Sequence, residues 1–190
     1  MKLASAIIIL ALMFSSCGNE EAKPKPRAFL ALDYPEAVYS PIDLDCPYNF
    51  EKNQKAVITP SRNNVPCWIN LEYKDMNGVI FITYQPVKNN LDSLLKDAQN
   101  LPLQHTIKAD VIEGDMYTNK LHDTYGMFYE VKGDAASQAQ FYLTDSVEHF
   151  LTGSVYFDRQ PNFDSIVPAA NYLKKDMKHL MESLRWQEKK

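Results

Sequence analysis

An α+β fold, with a mostly antiparallel sheet packed by two helices including a long C-terminal one, follows from three patterns in the sequence. Cys67, Ile69, Leu71 and Tyr73 alternate with Trp68, Asn70 and Glu72, and Met76-Asn77-Gly78 then turns the chain into Val79 to Tyr84. Asn-Gly between two such runs is strong hairpin chemistry. A second series of alternating runs lies between Tyr125 and Phe157, separated by small-residue turns, and reads as an antiparallel meander. Ile166, Ala170, Leu173, Met177, Leu180 and Leu184 recur at spacings of four and three, one apolar stripe of a helix meant for the sheet.

In chain order, Met1-Lys2 is a short cationic start, Leu3 to Phe14 is mostly apolar, and Phe14-Ser15-Ser16 runs into Cys17. This is the layout of a secretory signal peptide, its apolar run too short for the roughly 20 residues of a membrane-spanning helix. Small residues leading directly into a cysteine point to a bacterial lipoprotein signal. Residues 1–16 would then be removed and Cys17 lipidated, although Phe14 is a loose match to the leucine usual three residues before such a cysteine. The competing reading is an ordinary signal peptide cut nearby, with Cys17 incidental. Residues 17–27, polar and carrying Pro24 and Pro26, read as a semi-extended tether. Glu20-Glu21 is either a sorting signal or plain tether chemistry, the second being preferred. Residues 28–190 are expected to form one domain.

Phe29 to Leu32 is the expected first strand, ended by Pro35. Tyr39 to Arg62 holds Pro41, Pro47 and Pro60 and should be irregular, with a brief strand near Tyr48 to Glu51. Val79 to Ile82 is apolar at every position, as in a central strand covered on both sides. Asn89 or Asn90 can cap a helix whose face carries Leu91, Leu94, Leu95, Ala98 and Leu101, with Pro102 ending or kinking it. His105 to Glu113 is extended or looped. Tyr125 to Val131, Ala139 to Leu143 and His149 to Phe157 are strands. Asp164 or Ser165 is the expected cap of the last helix, with Pro168 tolerated in its first turn.

Hydrophobic content of 45% with 12% aromatics describes a folded globule, and a net charge of −4 without a basic stripe gives no case for nucleic acid. Of the three cysteines, lipidation of Cys17 leaves Cys46 and Cys67, an even pair for an exported protein. A disulfide closing a loop of about 20 residues would contribute roughly 3 kcal/mol. Two buried thiols, or a metal site lacking any CxxC or CxH spacing, are the alternatives.

No HExxH, GxSxG, P-loop or GxGxxG occurs, the four histidines are scattered, and no metal or cofactor is expected. Asp145, Ser146 and His149 contain triad residue types, but Asp145-Ser146 sits where a hairpin turn is expected and both residues suit local backbone bonding. His105, Lys108 and Asp110 put three ionisable groups within six residues, with Asp92 and Asp97 on the preceding helix. A solvated loop with local ion pairs is preferred there to proton transfer or anion binding. The aromatics on alternating strands, Tyr73, Tyr84, Tyr125, Tyr129, Tyr142 and Tyr156 among them, suit either a core or a partner interface.

Several segments resemble the gliding motility lipoprotein GldD family of Bacteroidota: CPYNFE (Cys46 to Glu51), CWINLEY (Cys67 to Tyr73), NNLD (Asn89 to Asp92), HTIKAD (His105 to Asp110), YEVKGDAASQAQFYLTDS (Tyr129 to Ser146) and HFLTGSVYF (His149 to Phe157). The resemblance covers essentially all of the chain after the leader. It implies a role in gliding motility and the linked type 9 protein secretion machinery, and carries over no catalytic residue. The order of elements also resembles the Mog1/PsbP-like fold, whose domains mostly act as docking modules.

The expectation is a non-enzymatic, lipid-anchored envelope protein, in the outer membrane rather than the inner, that binds other gliding or type 9 secretion components. Its interface is expected around His105, Lys108, Asp110, Gly133, Asp134 and Ser137. A different class of reading is a ligand-binding or enzymatic domain with a pocket between sheet and C-terminal helix, lined by Tyr125, Tyr129 and Tyr142. A third is a stabiliser of a neighbouring lipoprotein.

Overall fold

A computed structural model describes residues 33–104, 108–158 and 163–187. Cys17, the tether, the expected strand Phe29 to Leu32 and His105 lie outside the described residues. Three short strands come first, β1 (Tyr39–Pro41), β2 (Tyr48–Asn49) and β3 (Glu51–Asn53), followed by β4 (Val57–Pro60), β5 (Ile69–Tyr73) and β6 (Gly78–Pro86). Helix α1 (Leu91–Leu103) precedes β7 (Ala109–Asn119), β8 (Thr124–Gly133), β9 (Ser137–Thr144) and β10 (His149–Phe157). Helix α2 (Phe163–Ser183) and β11 (Arg185–Trp186) end the described chain.

Seven strands make one antiparallel sheet in the order β4-β5-β6-β10-β9-β8-β7. The two expected strand groups are joined where β10 pairs with β6, for example Ser154 with Phe81 and Gly153 with Ile82. The hairpin Cys67 to Tyr84 is present, but its turn is longer than Asn-Gly alone. Lys74–Met76 form a 3-10 turn, Asn77 takes the left-handed conformation at φ +47°, and Gly78 already pairs with Tyr73 as strand. Met76 is buried, so the turn folds inward over the core, and asparagine tolerates left-handed backbone well.

The two helices lie on opposite faces. On one, Ala169, Leu173, Met177 and Leu180 of α2, with Leu184 just past its end, meet Leu71, Ile80, Ile82, Phe141, Leu143, Leu151 and Val155, all buried. Full burial stabilises each such aliphatic side chain by about 1.5–3 kcal/mol. On the other, Leu94 of α1 packs on Tyr142 and Phe150. The strand covered on both sides is therefore β9, buried at every position, and not β6, where Phe81 is 40% exposed. The reason is reach: α1 is 13 residues long and lies over Tyr142 and Phe150, leaving the α1-side face of β5 and β6 without a helix. Pro102 sits within the last turn of α1 without ending it early, and α2 begins at Phe163, ahead of the expected capping residues.

The proline-bearing segment holds its brief expected strand as β2 and the start of β3, and it is more ordered than expected, being stitched to other elements. Strand β1 pairs with β3, Pro41 and Pro60 stand at strand ends, and β2 pairs with β11. Cys46 and Cys67 form a disulfide with Cα atoms 5.5 Å apart, and the Tyr48 hydroxyl donates to the Cys67 carbonyl at 2.9 Å. Asp176 of α2, nearly fully buried, accepts from Tyr39 at 2.7 Å and from Asn53 at 2.9 Å, fastening the β1–β3 ribbon to the helix.

Candidate partner-binding site

Lys108 to Asp110, the described part of the HTIKAD segment, and the Gly133–Ser137 turn are far apart in sequence and adjacent in space. Strand β7 pairs with β8 so that Ala109 stands opposite Gly133, with a bulge between Ala109 and Val111. Gly133 has φ +106°, and a Cβ there would lie 2.7 Å from the Asp110 nitrogen and 2.9 Å from the Lys108 carbonyl. Only glycine fits both the backbone angle and the close approach. The result is a polar corner in which Lys108, Asp110 and Asp134 are all exposed.

Ser137 does not belong to that surface. It is fully buried, and its hydroxyl donates to the Ala139 carbonyl. The next residue, Gln138, is buried as well, its amide donating to the carbonyls of Gly133 and Ala135 and so bracing the turn from beneath. One end of the turn thus faces solvent while the other is structural.

From the corner, β7 runs along the end of the sheet for 11 residues. Glu113, Asp115 and Tyr117 face the α2 side: Glu113 stands opposite Glu130, which receives Lys174 of α2, and the Tyr117 hydroxyl donates to the Met181 carbonyl of α2. Lys132 binds Glu113 at 2.9 Å, relieving the like-charge pair, and this hydrogen bond and charge raise the lysine pKa. Ile112, Gly114 and Met116 alternate with them on the α1 side, and Met116 is 82% exposed.

The triad-type residues are occupied by local structure. Asp145 Oδ1 accepts the backbone N–H groups of Val147, Glu148 and His149, each at 2.9 Å, and Ser146 occupies the turn at φ +68°. His149 Nδ1 lies 2.9 Å from the Tyr84 hydroxyl, and its ring stacks on Trp186. Burial raises the Tyr84 pKa, with smaller contributions from Asp145 and Glu148. No nucleophile–histidine–carboxylate chain results.

The pocket expected between sheet and C-terminal helix is filled by the α2 stripe. Tyr129 and Tyr142 pack on the α1 side, and Tyr125 shares their face by strand alternation. An open groove of about 500 Å³ lies elsewhere, where α1 stops short, floored by Asn70, Val79, Phe81 and Tyr156. Among the described residues no group of three or more His, Cys, Asp or Glu side chains is arranged to hold a metal, and no helix is long and apolar enough to cross a membrane.

Sequence reasoning missed most of the β7 edge. Val111-Ile112 and Met116-Tyr117 interrupt the alternation, because an end strand that is exposed at most positions and buried at none has no dry face to enforce a period of two. The signal available was the run of 11 residues without proline or lysine.

Among curated proteins none matches the chain. The family model described as gliding motility lipoprotein GldD matches residues 19–186, which spans every strand and helix among the described residues. The chain therefore belongs to the GldD family of gliding motility lipoproteins, membrane-associated components of the cell envelope.

Proposed function

We propose that this protein is a non-enzymatic docking module of the gliding and type 9 secretion machinery, held to the outer membrane by lipid on Cys17. In this reading the signal peptide of residues 1–16 is removed and residues 28–190 act as one domain on the tether 17–27. Several acyl chains on one cysteine, at about 0.8 kcal/mol per buried CH2, make a durable anchor. Confinement to the bilayer then raises the effective concentration of a weakly binding domain near its partner.

The observation that carries the docking role is the corner itself. Two polar segments separated by more than 20 residues are held together by a glycine that admits no side chain, and their charged groups point outward. The triad-type residues meanwhile serve a turn and an aromatic stack. The partner is another envelope component of the same machinery.

The test is a strain whose sole copy carries Lys108→Glu and Asp110→Lys. Normal abundance of the protein with lost gliding and reduced release of a type 9 cargo protein is the expected result. Normal gliding and secretion would remove the corner from the function. A fall in the abundance of a neighbouring lipoprotein, with gliding restored by overproducing that neighbour, would favour a stabiliser role instead.

A further inference from the structure

We propose that the outer side of β7 receives an extended segment of the partner as an eighth strand, and that this segment alternates basic with apolar residues. The inference rests on the docking role just proposed and names the chemistry of what docks. Among the described residues β7 ends the sheet, so every second residue along Ala109–Asn119 presents an N–H and a C=O with no strand beyond it. Sheet ends in monomeric proteins are usually blunted by shortness, proline, charged side chains (lysine above all) or a bulge. The opposite end of this sheet follows that rule, since β4 has four residues and stops at Pro60. Strand β7 has 11 residues with neither proline nor lysine; its bulge is confined to the corner end, and its charges are all carboxylates, which oppose an acidic strand and not a basic one.

The side chains flanking this edge state what would fit. On the α2 side an added strand would lie beside Glu113 and Asp115. Glu113 is matched by Lys132, whereas Asp115 has no ion pair among the described residues. Basic side chains are favoured there. On the α1 side the neighbours are Ile112, Gly114 and the exposed Met116. At Gly114, in the middle of the edge, the Tyr129 ring and Met127 lean over the backbone, where a Cβ would meet the ring at 3.1 Å and Met127 Cε at 3.3 Å. These apolar groups border the edge on this side, so an apolar side chain of the incoming strand would rest against them. A second copy of this chain fits poorly, because antiparallel pairing of β7 with itself about Gly114 sets carboxylates against carboxylates, and like charges directly opposite are destabilising.

The test uses the full-length lipoprotein in detergent micelles and two synthetic eight-residue peptides, one alternating lysine with valine and one alternating glutamate with valine. Amide hydrogen exchange is followed along the chain. The lysine–valine peptide is expected to slow exchange within 111–118 by at least about tenfold at saturation, with the glutamate–valine peptide without effect. Glu113→Lys combined with Asp115→Lys should reverse that preference; both sites are exposed, and an unchanged melting temperature checks folding. Equal protection by both peptides, protection elsewhere, or no protection would overturn the proposal. Protection of 111–118 that rises with protein concentration without peptide would assign the edge to a second copy and overturn it too. In cells, normal gliding by the edge variant beside non-gliding corner variants would sink this inference alone, whereas normal gliding by both sinks the docking role.

Discussion

The Tyr39 hydroxyl donates to Asp176 Oδ1 at 2.7 Å across a sequence separation of 137 residues. The same tyrosine ring stacks on His179 at 3.5 Å, and His179 in turn bonds Glu51 at 2.8 Å. A buried carboxylate on the C-terminal helix is thus the anchor point for the first ribbon. Tyr39→Phe should destabilise the protein by about 1–3 kcal/mol, because the buried acceptor loses a donor. Asp176→Ala should cost at least as much, and the double variant less than the sum. Denaturant unfolding of the four proteins measures the coupling, and strict additivity would contradict a direct bond.

The Cys46–Cys67 disulfide closes a loop with a sequence separation of 21 and abuts Tyr48, which is fully buried. Replacing both cysteines by serine should lower stability by about 2–4 kcal/mol. A reducing agent should lower the melting temperature of the natural chain and leave that of the double variant unchanged.

Alkaline pH should weaken the fold. Burial raises the pKa of Tyr48, and burial followed by Asp176 raises those of Tyr39 and Tyr73, all well beyond the usual tyrosine value. A raised folded-state pKa means stability is fully present below pH ~10, the unfolded value, and falls as pH rises above it. Tyr48 and Tyr73, which are buried, would each remove up to about 1.4 kcal/mol of stability per pH unit above that value, and the half-buried Tyr39 less. Unfolding midpoints between pH ~8 and ~11 should therefore be level at first and then drop, more gently in Tyr73→Phe. A level profile throughout would contradict the buried hydroxyls.

Gly133→Ala should destabilise by more than about 1 kcal/mol, since alanine meets both positive φ and the Asp110 and Lys108 backbone. Met116→Lys, on the open edge, should stay within about 0.5 kcal/mol of the natural chain. Thermal unfolding of the two variants side by side separates a corner built on close approach from an edge free of packing.

Asp145→Ala should cost about 0.5–2 kcal/mol through three lost turn hydrogen bonds, by analogy with a helix cap. Its gliding, at matched protein abundance, should be normal. Lost gliding in a stable, abundant variant would return Asp145 to the list of functional groups.

The amino-acid order alone determined the elements that own a dry face. Leu71, Ile80, Leu143 and Val155 alternate, and Leu173 to Leu184 step around a helix, because one side of each must leave water. The even pair Cys46 and Cys67 was legible for a similar reason, as a constraint that exists in the sequence itself. Three things were decided only by folding. Which strand would be covered twice depended on where the 13-residue α1 came to rest, and it chose Tyr142 on β9 over Phe81 on β6. The polarity of Ser137 concealed its burial, because its hydroxyl is satisfied by the Ala139 carbonyl. The corner of Lys108, Asp110 and Gly133 exists only through the register that sets Ala109 opposite Gly133. Register is a long-range pairing, and periodicity along one strand holds no record of its partner.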